Sequence, residues 1–402
     1  MTGFYQFSNQ VKIVAGKDSI NDLAKEIALL GARNILIISD QNLQNLGYVK
    51  KIKSVIATNT KLRVNAVYVN VKRGSSKQTI EEAYTLFRDN SCDSIVACGG
   101  GSVINTAECL KLMLATRTKN LEQVYGVNSA YKLEEVPFGA IPTTVGGGCD
   151  IAQIANILDE TGKSSHEIIS EVMQPDVCIL DPTFVMSLPA ERLILGGMEM
   201  LFDSAATYLD KSYNPISNNY ALYCIRNIVK MMNKFRQTGE FDEEVCLMLQ
   251  ESGVLAGMAV TNISGGIAHA ITNAICDCTT AYHNLVLALV FPKCLAYSKD
   301  RGGARYAKLL QYSVSHERFR SIDSSDYAGA FVDLVEEAVS MILEKYKLPK
   351  NLRELGVTDD MLEQIAKITC SDSSLISSGR WYTTADICNI LKDCMGDEQC
   401  QK

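Results

Sequence analysis

The chain has 402 residues, more than the roughly 250–300 at which a single hydrophobic core stops growing, so two domains are expected. Its residues are 47% hydrophobic and 21% charged, as in an ordinary globular protein, and the formal net charge of −7 supplies no general pull toward nucleic acid or anionic membrane. The start, MTGFYQFSNQVKIV, lacks the basic head and apolar core of a signal peptide, and no apolar run reaches the roughly twenty residues that span a bilayer. The expectation is a cytoplasmic protein acting on a small molecule or peptide.

From residue 10 to about 182 short β-rich runs alternate with helical stretches: VKIVA, then SINDLAKEIALLGA, NILIIS, a segment around LGYVKKIKSVIAT, VNAVYV, TIEEAYTLFRD and SIVAC. That alternation predicts a parallel sheet flanked by helices. The apolar runs FGAIP, QIANIL and DVCIL extend the sheet or add a hairpin to it. After LDPTFVMSLP, which brings two prolines, the periods become long and helical, as in NYALYCIRNIVKMMNKFRQ, EVCLMLQESGVLAGMAV and AGAFVDLVEEAVSMILEKYK. The expected division is a 1–182 α/β domain and a 183–402 all-helical domain, closely packed around a ligand cleft because no low-complexity linker separates them.

The run SIVACGGGSVINTAECLKLML reads as strand, Gly99-Gly100-Gly101-Ser102, then helix. Glycines let a backbone approach a pyrophosphate, and amides at a helix start face its negative charge, although the same glycines also suit a tight strand-to-helix turn. A second loop, AIPTTVGGGCD, offers Thr143 and Thr144 for ribose, phosphate or nicotinamide contacts, or is a surface loop. Asp40, after NILIIS, would bind ribose hydroxyls and repel a 2′-phosphate, favouring NAD over NADP; an aspartate capping the next turn is the alternative.

In the second half, GGMEMLFDSAATYLD carries Glu199 and Asp203 four residues apart, on one face of a helix. His269 and His283 follow, fourteen residues apart. Two carboxylates and two imidazoles suit one divalent ion; otherwise the acids form a solvated face and the histidines are core groups. The fourteen cysteines lie mostly in apolar segments and read as reduced, buried thiols, with Cys276-x-Cys278 open to either packing or ligation.

These motifs, in order, resemble the iron-containing alcohol dehydrogenases, within the larger group that also holds glycerol dehydrogenase and dehydroquinate synthase. The resemblance runs from FSNQVKIVAGKDSINDL through the ISD at 38 to 40, GGGSVINTAE, AIPTTVGGGCD, the LDP at 180 to 182, SLPAERLILGGMEMLFD and GIAHAI to KLPKNLRELGV. It implies a Rossmann-like nucleotide domain, a helical C-terminal domain, and NAD(P) beside a divalent metal. The family's ligand set of one aspartate and three histidines maps onto Glu199, Asp203, His269 and His283, with iron the first choice and zinc or manganese also compatible. Lys163 falls near a family lysine that reaches the nicotinamide ribose, and a homodimer is the expected assembly.

The departures bear on chemistry. Glu199 replaces the usual aspartate, as in the dehydroquinate synthase branch, and Asp203 replaces a histidine. Asn273 stands where a histidine often assists proton transfer, and Asn105 and Glu108 replace an aspartate and a lysine. Asn273 cannot act as a base, so Tyr282, a metal-held water or a relay through Thr143 or Thr144 becomes the expected proton path. The leading function is hydride transfer between nicotinamide and a carbinol or carbonyl carbon. The alternatives are a lyase that recycles its NAD internally and a metal-free, silent homologue.

Overall fold

The computed structural model describes residues 5–127, 133–148, 150–158, 165–210, 214–261, 266–301, 303–372, 375 and 381–396. The chain divides into two compact units, one of Ser8–Leu188 with Lys234–Thr261, the other of Met1–Phe7 with Pro189–Asn233 and Asn262–Lys402.

The first unit holds every strand among the described residues: β1 (Lys12–Ala15), β2 (Asn34–Ile38), β3 (Arg63–Tyr68), β4 (Ser75–Ser76), β5 (Ser94–Gly99), β6 (Gly126–Val127), β7 (Phe138–Pro142), β8 (Ile154–Leu158), β9 (Ser165–Ile169) and β10 (Val177–Leu180). Six of them form one sheet in the order β1-β10-β7-β5-β2-β3, and every pairing in it is parallel. The other four form a second sheet, β4-β8-β9-β6, in which β8 and β9 are antiparallel. FGAIP and VCIL therefore extend the main sheet, while QIANIL makes the hairpin.

Alternation along β2 explains the sandwich. Ile35 and Ile37 pack into one apolar cluster with Leu23, Ile27, Ile52 and Ile56. Leu36 and Ile38 pack into the opposite cluster with Val103, Ala107, Leu110 and Leu114. Successive strand side chains point to opposite faces, so a strand apolar at every position needs helices on both sides. Those helices are α1 (Leu23–Leu29) and α3 (Tyr48–Ile56) on one face and α5 (Gly101–Ala115) on the other; α2 (Gln41–Asn45) and α4 (Lys77–Asp89) complete the run.

The second unit is helical: α6 (Ala190–Leu209), α9 (Gly266–Cys278), α10 (His283–Ser298), α11 (Ala304–Ser313), α12 (His316–Ser321), α13 (Tyr327–Lys345), α14 (Leu362–Cys370) and α15 (Thr384–Cys394), with most of α7 (Pro215–Thr238). Stacked rings of Phe202 and Phe291, centroids 4.4 Å apart, lock α6 against α10. Among the described residues no helix is long and apolar enough to cross a membrane, and the cysteines are free thiols.

The division differs from a single cut at 182/183 in one helix. α8 (Glu243–Val260) groups with the sheet, because Gly257 meets Gly148 backbone to backbone: a Cβ on Gly257 would lie 2.7 Å from the Gly148 carbonyl oxygen. Periodicity identifies α8 as a helix but is silent on its partner. At the other end, Phe7 stacks on Tyr220 (5.7 Å) and Asn214 Nδ2 donates to the Gln6 carbonyl (3.1 Å), which ties the N-terminal residues to the helical unit.

Candidate functional site

In the sheet unit the chain runs from β2 to the outer edge at β3 and then returns to β5 on the other side of β2. This reversal is a topological switch point, and ligands of open α/β sheets bind at the carboxyl ends of the strands there. The sequence-predicted cofactor residues sit at those ends. Ile38 of β2 pairs with Ala97 of β5, so Asp40 lies beyond one strand end, while Gly99 ends the next strand and Gly100-Gly101 follow it. Gly99 pairs with Pro142 of β7, and the Thr143 amide donates to the Gly99 carbonyl at 3.0 Å.

The approach of the two loops explains the middle glycine. A Cβ on Gly100 would lie 2.8 Å from Thr144 Cγ2 and 2.9 Å from its Oγ1, so any other residue there must push the Thr144 side chain aside. Gly100 is the N-cap of α5 and offers no side chain, which leaves the first-turn amides of Gly101 and Ser102 as anion-facing groups. The Ser102 hydroxyl accepts from the Gly74 amide at 2.9 Å. Thr143 is buried and Thr144 exposed, so of the pair Thr144 presents its side chain outward. Asp40 caps α2, its Oδ1 accepting from the Leu43 amide at 3.0 Å. Lys163 lies outside the described residues.

The sequence-predicted metal ligands come together in the helical unit as two acid–imidazole pairs. One turn of α6 separates Glu199 from Asp203. Asp203 Oδ1 contacts His269 Nε2, from α9. Glu199 Oε1 lies 3.6 Å from His283 Nδ1, at the first position of α10. The two imidazole rings are 5.6 Å apart between centroids and tilted by 32°. Burial works most strongly against a charged His269, but Asp203, Glu199 and Asp372 together outweigh it and raise the imidazole to about 9.

Among the described residues no group of three or more His, Cys, Asp and Glu side chains is gathered into a finished cation cage. The donor chemistry nevertheless fits a divalent ion. Two anionic oxygens and two imidazole nitrogens are a borderline set suited to iron, zinc or manganese. An ion-bound imidazole has its ring centre about 3.2 Å from the ion, so two such rings at a tetrahedral angle lie roughly 5 Å apart. The separation of His269 and His283 is close to that spacing. Each acid–imidazole contact is then one that an ion between the partners would replace. Cys276 and Cys278 stand apart from this set, Cys276 Sγ donating to the Ala281 carbonyl, which favours packing over ligation.

Asn273, which stands where the family often has a histidine, donates from Nδ2 to Asp372 Oδ2 at 3.3 Å. Tyr282 is the N-cap of α10, and its ring lies under the Arg192 guanidinium at 3.7 Å.

Residues 10–182 match the family model described as iron-containing alcohol dehydrogenase, and residues 193–395 match that of the C-terminal region of the Fe-containing alcohol dehydrogenase family. The chain belongs to the iron-containing alcohol dehydrogenase family. It is an oxidoreductase of the alcohol dehydrogenase type. The NAD-dependent methanol dehydrogenase of Bacillus methanolicus is 26% identical over 95% of this chain and 97% of that protein. Alcohol dehydrogenase 4 of Schizosaccharomyces pombe is 28% identical over 94% and 86%. Among solved structures, 1,3-propanediol oxidoreductase superposes with a TM-score of 0.89 at 22% identity, over 98% of this chain and all of that one, which shows the shared fold.

Two residues beside the acid–imidazole pairs of this iron-containing alcohol dehydrogenase family member escaped the sequence reading. Asn284 Nδ2 donates to Glu199 Oε2 at 2.8 Å. Asp372, just past α14, faces Asn273 and adds negative potential at His269. The position of Asn284 directly after His283 was a usable signal. Nothing local marks Asp372, about a hundred residues from its partner.

Proposed function

We propose that this protein is a metal-dependent, NAD-linked alcohol dehydrogenase or aldehyde reductase acting on a small molecule, with NADP the poorer cofactor. The observation that carries the reading is the convergence of Asp203 with His269 and of Glu199 with His283, on three helices of one unit. The family name points to iron, and the methanol dehydrogenase relative is by name NAD-dependent.

When bound, the nicotinamide exchanges a hydride with the substrate carbon, and the divalent ion polarises the oxygen on that carbon. Glu199, Asp203, His269 and His283 hold the ion. Two carboxylates with two neutral imidazoles balance its charge, whereas one carboxylate with three imidazoles would leave it at plus one, so this set makes a milder electrophile. The Gly101 and Ser102 amides hold the pyrophosphate, with Gly99 and Gly100 admitting it. Asp40 holds the adenosine ribose, Thr143 and Thr144 line the nicotinamide side, and Lys163 is assigned to the nicotinamide ribose from the family resemblance alone. Asn273 has no proton to exchange at working pH and serves by hydrogen bonding. Tyr282 is the side chain proposed to carry the proton. The working form is proposed to be a cytoplasmic homodimer, the dimer being readable by sedimentation velocity.

The test combines metal analysis of the purified protein with a screen of alcohols and aldehydes followed by absorbance of reduced nicotinamide. The expected result is close to one ion per chain and net formation or consumption of NADH. Asp203→Ala and His269→Ala should each lower kcat/KM by about a hundredfold or more and lose the ion. Full turnover by metal-stripped protein would defeat the metal role, and turnover without net change in NADH would favour the lyase.

A further inference from the structure

A Glu at position 199 has one more rotatable bond than an Asp and two equivalent oxygens to present, so its length alone does not decide which oxygen faces the imidazole of His283. The second residue of α10 makes that choice. Asn284 Nδ2 donates to Oε2 at 2.8 Å while Oε1 is the oxygen nearest His283 Nδ1, at 3.6 Å. Both contacts come from consecutive residues at the start of one helix, and the Phe202–Phe291 stack holds that helix against α6, where Glu199 is carried. Only about an eighth of the Glu199 side chain is exposed, at 13%, so water competes weakly for the hydrogen bond.

The chemistry of Asn284 suits the task. Its amide nitrogen is a neutral donor with no lone pair for a cation, so it engages the carboxylate without competing for an ion. It occupies one oxygen and leaves the other turned toward the imidazole. Hydrogen bonds of this kind orient ligands and tune affinity, and their loss costs about ten- to a hundredfold in metal binding.

We propose that Asn284 is a positioning residue that fixes the rotamer of Glu199 and thereby sets metal affinity. The inference rests on Glu199 being a ligand, as put forward above. Metal-stripped protein is titrated with Co2+ against a competing chelator, and the visible ligand-field spectrum of the bound ion is recorded. Asn284→Ala should weaken Co2+ binding about ten- to a hundredfold and alter that spectrum, with the Tm of the stripped protein held within about 2 °C. Asn284→Leu, of similar size but with neither donor nor charge, should lose as much as Asn284→Ala, which separates hydrogen bonding from packing. In a Glu199→Asp background, where the shorter carboxylate falls out of reach, Asn284→Ala should change affinity by less than about threefold. Wild-type affinity and spectrum in Asn284→Ala, or an equal loss in both backgrounds, would overturn the proposal. Glu199→Ala tells the two failures apart. If it loses Co2+ while Asn284→Ala does not, only the positioning role fails; if it binds Co2+ as the wild type does, the ligand assignment and the positioning role fall together.

Discussion

A carboxylate held at the end of a strand repels any second negative charge placed beside it, and Asp40 is held there by the Leu43 amide at 3.0 Å. Cap and cofactor selector are therefore compatible roles for one side chain, since the cap uses Oδ1 and the repulsion needs only the net charge. Asp40→Asn separates them. Asparagine caps a helix about as well as aspartate, so the Tm should stay nearly constant, while the preference for NAD over NADP in kcat/KM should fall by roughly tenfold. An unchanged cofactor ratio would leave Asp40 as a cap alone. At this scale the sequence was informative wherever a role is written into neighbouring residues: Gly100 because the chain must turn into α5 there, and Glu199 with Asp203 because four residues make one helical turn. Asn284 was marked only by its place beside His283, its bond to Glu199 spanning 85 residues of sequence, and Asp372 was invisible because its bond to Asn273 spans 99.

At the scale of the element, α5 is the most revealing. It is buried along nearly its whole length, including the charged side chains of Glu108 and Lys111. Lys111 is compensated by Asp176 Oδ2 at 2.9 Å and by the Gln174 carbonyl at 2.7 Å. Glu108 is not, for its Oε1 finds no hydrogen-bond partner. Burial pushes its carboxyl well above the ordinary value of 4.5, Asp150 pushes it further, and Lys111 offsets part of this. A raised carboxyl favours the folded state while it is protonated in both states, below pH about 4.5, and that advantage is lost as pH rises toward the folded-state value. Glu108→Gln keeps the shape without the charge, so it should gain stability over wild type progressively as pH rises above about 4.5. Urea melts at pH 5, 6.5 and 8 measure this, and parallel wild-type and variant curves would show that Glu108 is ionised at no cost. The strands and helices themselves were legible because β2, β5 and β7 carry short apolar runs such as Ile35–Ile38, Ile95–Cys98 and Phe138–Ile141, whereas the stretches between them carry helical periods. The second sheet was less so, since β4 and β6 are two-residue strands whose pairing is decided by β8 and β9.

At the scale of the molecule, the sheet unit is assembled from two separated stretches of chain, and the later one is not decoration. α8 places Val254 in the apolar cluster that also holds Ala97 of β5 and Leu110 of α5. It brings Gly257 against Gly148 at a distance no larger residue permits, Gly148 itself having φ +74°. Gln250 Nε2 reaches toward the carbonyls of Pro142 and Asp181, 3.4 Å from each, at the ends of β7 and β10. A fragment ending at residue 182, where the periodicity changes, would leave that apolar face uncovered and those carbonyls facing water. Losing one buried helix removes several side chains' worth of burial, each worth about 1.5–3 kcal/mol, which exceeds the usual stability margin of a domain. Fragment 1–182 should therefore bind hydrophobic dyes and melt without a cooperative transition, although every strand of the main sheet lies within it. Adding the 234–261 peptide should restore part of the near-UV circular dichroism. If fragment 1–182 instead unfolds cooperatively near the Tm of the full chain, α8 is an appendage to a self-sufficient sheet domain, and the boundary read from periodicity is the one the molecule uses.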